Sequence, residues 1–294
     1  MKKIFYKSFI MVFISAISLY SFFEDIGMGA RQTSMGNTFV AVCDDVYSVY
    51  YNPAGLGKLL VGSVSFMYAQ LWPSIGGEGL NDMFAGFNTV LRNNIGIGIT
   101  WQSRVLQGVV NDDTISVGLG KQIKENLLLG VVVKYLKFEL VSEEIKSIPE
   151  LKNNSQKTAV GLDLGVLLRL KQIDVGVSLK NVNSPDVGIF EPAPLPMVIK
   201  FGVAKKFERI LLAADVSNSN DLIEISLGGE LLLSEKIRLR CGGLTSTADY
   251  LKLSVGAGLQ INKLQLDYSY MIQIIGGTET DTGIHRVGLS LRFK

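Results

Sequence analysis

From Gly57 onward the chain alternates apolar and polar residues in short runs, and a period of two dictates strands with two chemically different faces. The last run shows it plainly. Across 284–294 (IHRVGLSLRFK), Val287, Leu289, Leu291 and Phe293 share one face, while Arg286, Gly288, Ser290 and Arg292 share the other. Run 250–261 repeats the pattern, with Leu251, Leu253, Val255, Ala257 and Leu259 against Lys252, Ser254, Gly256, Gly258 and Gln260. Such strands suit a soluble core or a lipid-facing wall, and other features must decide.

The connections favour the wall. About fourteen strands are expected, over 61–72, 83–91, 95–104, 114–122, 126–139, 157–170, 172–182, 197–206, 209–217, 221–233, 236–244, 250–261, 263–273 and 283–293. Tight turns at 92–94, 124–125, 171–172, 208, 234–235 and 262 alternate with longer links at 73–82, 105–113, 140–156, 183–196, 218–220, 245–249 and 274–282. Two of the longer set, 218–220 and 245–249, are themselves short. Short periplasmic turns alternating with longer outer loops belong to strands threading a bilayer; a Greek-key sandwich has no reason to alternate so.

The N-terminus agrees. Lys2, Lys3 and Lys7 precede an apolar run from Phe9, followed by small residues at Ser15, Ala16, Ser18 and Ser21. This is the order of a secretory signal peptide, expected over 1–21, with cleavage after Ser18 or Ser21. The run is too short for an anchor helix, which needs about 20 apolar residues. Removing three lysines takes the formal charge from +2 to −1, so no basic excess remains to recruit nucleic acid. The mean hydropathy is high, yet the longest later apolar stretch, Leu127–Val133, is broken by Gly130. That leaves a large buried core or a lipid-exposed barrel. Glycine, 31 of 294 residues, exceeds its usual share of about 7% and sits largely inside strand-like runs, where it would weaken a packed soluble sheet.

The expected fold is therefore all-β: a transmembrane antiparallel up-and-down β-barrel of residues 58–294, in a bacterial outer membrane. Tyr68, Trp101, Tyr135, Tyr268 and Tyr270 share the apolar phase near the outer ends, as a headgroup belt requires. The opposite phase should line the lumen with Asp163, Arg169, Asp174, Lys180, Lys200, Glu224, Glu230, Arg238, Arg240, Lys252, Asp267, Arg286 and Arg292. Cys241 falls in the lipid phase and Cys43 precedes the strands, so two free thiols are expected rather than a disulfide.

Residues 22–57 read as a compact segment that must dock, and the lumen is the nearest shelter. Asp44-Asp45 are placed to cap a short helical turn running to Tyr51, Asn52-Pro53 to stop it, and Ala54-Gly55 to turn the chain into the first strand. Met35, Phe39 and Val40 are candidate contacts for a lipophilic molecule, with packing of the segment as the alternative.

This stretch resembles the start of the FadL-type hydrophobic-compound transporters and, more closely, the related PorV/PorQ-like outer-membrane proteins. The resemblance rests on Gly29-Ala30-Arg31-Gln32, Met35-Gly36, Phe39-Val40-Ala41, Asp44-Asp45, Ser48 and Asn52-Pro53-Ala54-Gly55-Leu56. It implies a fourteen-stranded barrel with an N-terminal hatch inside. In transporter members the hatch moves to pass lipophilic molecules; PorV-like members serve type IX secretion.

No enzyme constellation is found. The single histidine, His285, lies in the outward phase, and the neighbouring strands offer no outward serine beside it. Asp112-Asp113 and Glu143-Glu144 fall in expected outer loops as solvated charges, with a calcium contact as the alternative. Gly76-Gly77 and Gly276-Gly277 lack the strand-to-helix step of a phosphate cradle, and no cofactor is implied. Two functions remain: a passive conduit for hydrophobic or amphipathic small molecules, or a non-transporting accessory that binds secretion-system proteins. In either case the partners include outer-membrane lipid and the barrel-assembly machinery, which would read Val287, Leu289, Leu291 and Phe293.

Overall fold

Fourteen antiparallel strands close into one barrel in the computed structural model, which describes residues 25–71, 80–142, 155–189, 191–276 and 283–293. In chain order they are β1 (Gly62–Leu71), β2 (Leu80–Leu91), β3 (Ile95–Leu106), β4 (Val110–Lys124), β5 (Leu127–Leu140), β6 (Gln156–Arg169) and β7 (Ile173–Lys180). Then follow β8 (Val198–Lys206), β9 (Ile210–Ser219), β10 (Leu222–Leu232), β11 (Ile237–Ser246), β12 (Leu251–Ile261), β13 (Leu264–Ile275) and β14 (Ile284–Phe293). Each strand pairs with its sequence neighbours, and β1 closes on β14 in register from Gly62↔Phe293 to Gln70↔His285. Closure pairs every strand on both sides, as a sheet in hydrocarbon requires, except that β6 outruns β7: residues 156–163 have no β7 partner, and Val182 and Asn183 of the following link bond to Val160 and Leu162 instead. The expected antiparallel up-and-down barrel is the fold observed.

Alternation sorts the side chains as expected. Phe66, Val133, Leu227 and Val287 stand exposed outside, Leu227 at 62%, while their neighbours Ser65, Val132, Ser226 and Arg286 are buried inside. A continuous apolar belt of this kind has lipid, not water, as its solvent. Among the described residues no helix is long and apolar enough to cross a membrane. The tight turns use asparagine and aspartate in the left-handed region they tolerate: Asn93 and Asn94 at φ 65° and 55°, Asn220 and Asp221 at φ 45° and 66°.

The fold departs from expectation around 105–113. There β3 runs on to Leu106 and β4 begins at Val110, so residues 107–109 make the whole connection. Asp112 and Asp113 are strand residues, not loop charges. Asp112 is buried facing the interior, and Asp113 accepts a hydrogen bond from Trp101 Nε1 at 3.2 Å on the outside. The inner face of such a barrel is polar, so a polar run beside a turn does not mark a loop. The link after β7 also folds inward: an Asp186↔Pro194 bridge lets Val187 and Leu195 pack on Leu136 and Ala159. The expected signal peptide, Glu143-Glu144, Gly76-Gly77 and Gly277 lie outside the described residues.

Before β1 come α1 (Ala30–Ser34), α2 (Ser48–Tyr51) and a 3-10 turn (Pro53–Lys58). These stand inside the wall, α1 against β11–β14 and the 3-10 turn against β3–β6. The core forms between segment and wall, where Met28, Phe39, Val46 and Tyr51 pack with Met67, Phe84, Leu128 and Leu167.

Candidate functional site

Residues 25–58 circle the lumen, and the wall meets their backbone with glycines. An added Cβ would lie 2.2 Å from Met35 O at Gly228, 2.2 Å from Gly36 N at Gly242, and 2.4 Å from Val40 O at Gly176. It would lie 2.2 Å from Asn52 Oδ1 at Gly165, 2.2 Å from Pro53 C at Gly130, and 1.9 Å from Leu56 O at Gly96. These positions belong to β3, β5, β6, β7, β10 and β11, so much of the circumference omits side chains where the segment docks. The glycine excess of the sequence thus has a physical use. On the segment itself, Gly36 has φ 68° and its Cβ would lie 2.8 Å from Gly243 backbone atoms, so glycine is required there by both conformation and space.

Hydrogen bonds tie the same surfaces. Asp215 Oδ2 accepts from the backbone N–H groups of Phe39 at 2.8 Å and Val40 at 3.0 Å. Asn52 Nδ2 donates to Val40 O at 2.9 Å and to Val166 O of β6 at 3.0 Å, while its Oδ1 accepts from Ala54 N at 3.1 Å. The Thr33 and Ser269 hydroxyls meet at 2.9 Å, and Gly36 N donates to Ser254 Oγ at 3.1 Å.

Charge is handled by two networks. Arg31 bridges Asp44 at 2.6 Å and Glu230 at 2.9 Å, with Asp45 at 3.5 Å. Glu230 in turn holds Arg240 at 2.7 Å, and Arg240 holds Asp267 at 2.7 Å. Gln265 donates to Asp267 at 2.7 Å and accepts from Arg292 at 3.1 Å. In the second network Asp25 takes Lys200 at 2.5 Å, Lys180 at 3.1 Å and the Tyr50 hydroxyl at 2.5 Å. Burial alone would raise the Asp25 carboxyl; the two ammonium groups outweigh it and hold it well below its ordinary value. Paired charges of this kind are tolerable in a desolvated interior.

Of the remaining lumen charges, Asp163 pairs with Lys134 at 2.7 Å and Glu224 accepts from Ser217 Oγ at 3.0 Å. Lys252 stands over the Tyr250 ring, 4.7 Å from its centroid. Arg286 is fully buried and donates from Nη2 to Ile26 O at 3.1 Å. Arg238 is partly buried, with Nη1 unpaired among the described residues.

The capping role expected of Asp44 is corrected. Its carboxylate serves Arg31, and only Asp45 acts locally, accepting from Tyr47 N at 2.9 Å just before α2. Burial first, then the negative Asp44 beside it, pushes Asp45 up to about 7 despite Arg31. Met35, Phe39 and Val40 are fully buried, and none of them lines either of the two larger spaces of the barrel. Pro53, Ala54 and Gly55 begin the 3-10 turn, with Gly55 against Cys43. Both cysteines are free, Cys43 buried and Cys241 exposed outside; burial pushes the Cys43 thiol up to about 12. His285 is outside too, its Nδ1 2.7 Å from the Tyr268 hydroxyl.

Asp25, Asp82, Arg104, Lys134 and Asp215 were not foreseen as site residues. For Asp215 the signal was present: it shares the inward phase of Ala213 and Ser217 and is the one acidic residue of β9. The arrangement holds two larger spaces. One of about 440 Å³ lies toward the longer links, beside Tyr50 and lined by strands from β2 to β10. Another of about 600 Å³ opens beside the turn after β6, lined by Asp44, Lys58, Arg169 and Lys206.

Comparison with known proteins gives a family and a fold. A model described as type IX secretion system membrane protein PorP/SprF matches residues 46–291. The chain is similar in structure to the CymD monoaromatic hydrocarbon channel, at 13% identity and TM-score 0.69, covering 92% of this chain and 97% of that one. It is also similar to the toluene transporter TodX of P. putida, at 13% identity and TM-score 0.67, with coverage of 92% and 97%. The Ralstonia pickettii toluene transporter TbuX follows at 12% identity and TM-score 0.65, with coverage of 91% and 99%. No curated protein matches the sequence. The sequence resemblance pointed to PorV/PorQ-like proteins; the matching family model is the PorP/SprF one.

Proposed function

The chain belongs to the type IX secretion system membrane protein PorP/SprF family, and on that premise we propose that it is a closed outer-membrane barrel that serves secretion by binding partner proteins rather than by conducting a cargo. The observation that carries this reading is the occupied lumen. Undocking residues 25–58 would separate the part-buried Arg31–Glu230 and Asp25–Lys200 pairs and leave Lys180 and Lys200 without the Asp25 carboxylate. It would also expose the Phe39–Tyr51 core. A gate opened by thermal motion would not be built this way.

In this reading residues 1–21 are the export signal, 22–57 the plug and 58–294 the barrel. Asp44 fixes the plug through Arg31, while Asn52, Pro53, Ala54 and Gly55 seat it on the wall. Met35, Phe39 and Val40 pack it, and Val287, Leu289, Leu291 and Phe293 present the barrel to its assembly machinery. The rival reading, a FadL-like conduit for hydrophobic molecules, has the fold in its favour. Against it, the outer space of about 440 Å³ carries Asp112, Lys134 and Asp163 among its apolar lining residues, and a hydrocarbon there would leave those charges unsolvated.

Crosslinking in native envelopes, followed by isolation of the barrel, tests the proposal. Reproducible recovery of secretion-system proteins is expected, together with exclusion of lipophilic probes by liposomes carrying the refolded barrel. Recovery of barrel and lipid alone, with probe uptake that rises on deleting residues 25–52, would return the conduit.

A further inference from the structure

The cavity of about 440 Å³ at the outer end of the lumen has the size of a ligand pocket, and its charges are unevenly matched. Of the acids lining it, Asp163 is paired with Lys134 at 2.7 Å and Asp25 with Lys180 at 3.1 Å. Glu224 accepts from Ser217 Oγ at 3.0 Å and from the Tyr250 hydroxyl. Asp112 differs. It is 4% exposed, and among the described residues no hydrogen-bond donor reaches its buried Oδ1. Arg104 stands opposite it in register but has Asp82 opposite on its other side, at 4.0 Å, so one guanidinium faces two carboxylates.

A carboxylate that is nine-tenths buried, lines the cavity and has no donor can be satisfied by a donor or cation entering that cavity. From these observations we propose that the cavity is a binding site for a cationic group, an ammonium or guanidinium on an aliphatic stem, with Asp112 as its anion. The rest of the lining suits that shape. Thr114 and Ser116 follow Asp112 on the inner face of β4 and offer hydroxyls, while Leu136 and Leu195 give an apolar flank for the stem. A metal ion is disfavoured by the same inventory, because no group of three or more metal-ligating side chains occurs among the described residues. The site does not depend on whether the barrel serves secretion. The cation could reach it as a free amine or as a lysine or arginine of a protein segment entering from outside.

Calorimetric titration of the full-length barrel in lipid nanodiscs separates the outcomes. The probes are agmatine, the N-acetylated and C-amidated tripeptide Gly-Arg-Gly, and the same peptide with neutral citrulline in place of arginine. Saturable binding of agmatine or the arginine peptide is expected, weakened at least about tenfold with citrulline or in Asp112→Asn. Thr114→Phe, which fills the space and leaves Asp112 in place, should lose binding while keeping the heat-modifiable mobility of the folded barrel. Agmatine binding alone points to a free amine; tighter binding of the peptide points to a chain segment. The proposal is overturned if neither cation binds saturably, if citrulline binds as well as arginine, or if folded Asp112→Asn binds as the parent does. Should Asp112→Asn not fold, the citrulline peptide and Thr114→Phe decide.

Discussion

Arg31 of the lumenal segment and Glu230 of β10 meet at 2.9 Å, and Glu230 passes the charge on to Arg240 of β11 at 2.7 Å. The segment is thereby part of the wall's own ion network. Arg31→Ala and Glu230→Ala should each destabilise the barrel, and the double variant should lose less than the sum. A coupling energy of about 1–3 kcal/mol is expected from a double-mutant cycle in denaturant. Strict additivity would mean that the contact carries no energy.

The wall supplies its own controls for the glycine cradle. Gly228 and Gly229 are adjacent, yet a Cβ would lie 2.2 Å from Met35 O at the first and 3.4 Å from Leu212 Cδ2 at the second. Gly242 and Gly243 repeat the contrast, 2.2 Å from Gly36 N against 3.4 Å from Leu253 Cδ2. Gly228→Ala and Gly242→Ala should each cost about 1–3 kcal/mol and open the segment to protease, whereas Gly229→Ala and Gly243→Ala should do neither. Equal protease sensitivity across the four would remove the cradle from the account.

These pairs also mark how far the sequence could be read. Period-two alternation reached the strand count, the closure and the outward phase of residues such as Leu253 and Val287, because local periodicity sets them. It also showed that Gly228 and Gly242 face inward. It did not show that their missing side chains admit the backbone of Met35 and Gly36, far from them in sequence. Asp44 was misread for the same reason. Next to a short helix an aspartate resembles a cap, and only the fold brings Arg31 to its carboxylate. Asp112 failed differently: in a barrel polarity marks the inner face as well as the loops, so a polar run beside a turn is ambiguous until register is known.

Asp45 and Asp25 give the docked segment opposite pH dependences. Asp45, pushed up to about 7 from an ordinary value of 3.8, contributes stability that is complete below the ordinary value and lost as pH rises through about 7. Asp25 is held below its ordinary value, so its contribution is present above 3.8 and lost as pH falls through the depressed value. The thermal midpoint should therefore fall between about pH 5 and pH 8. Asp45→Asn should flatten that slope, while Asp25→Asn should lower the midpoint and leave the slope. An unchanged slope in Asp45→Asn would assign the pH response to other groups.

The last strand makes an assembly prediction. Val287, Leu289 and Leu291 face lipid, and Phe293 stacks on Phe87 with ring centroids 5.9 Å apart while covering Gly62, its partner in the closing register. Removing the ring takes away a terminal aromatic and the contact that seals β1 to β14. Phe293→Ser should reduce the amount of folded, heat-modifiable barrel in the envelope several-fold, because it removes the closing contact and an aromatic of the proposed assembly signal. Phe293→Tyr keeps the stack and should restore it. Equal amounts of folded barrel for Phe293→Ser and the parent would show that closure proceeds without it.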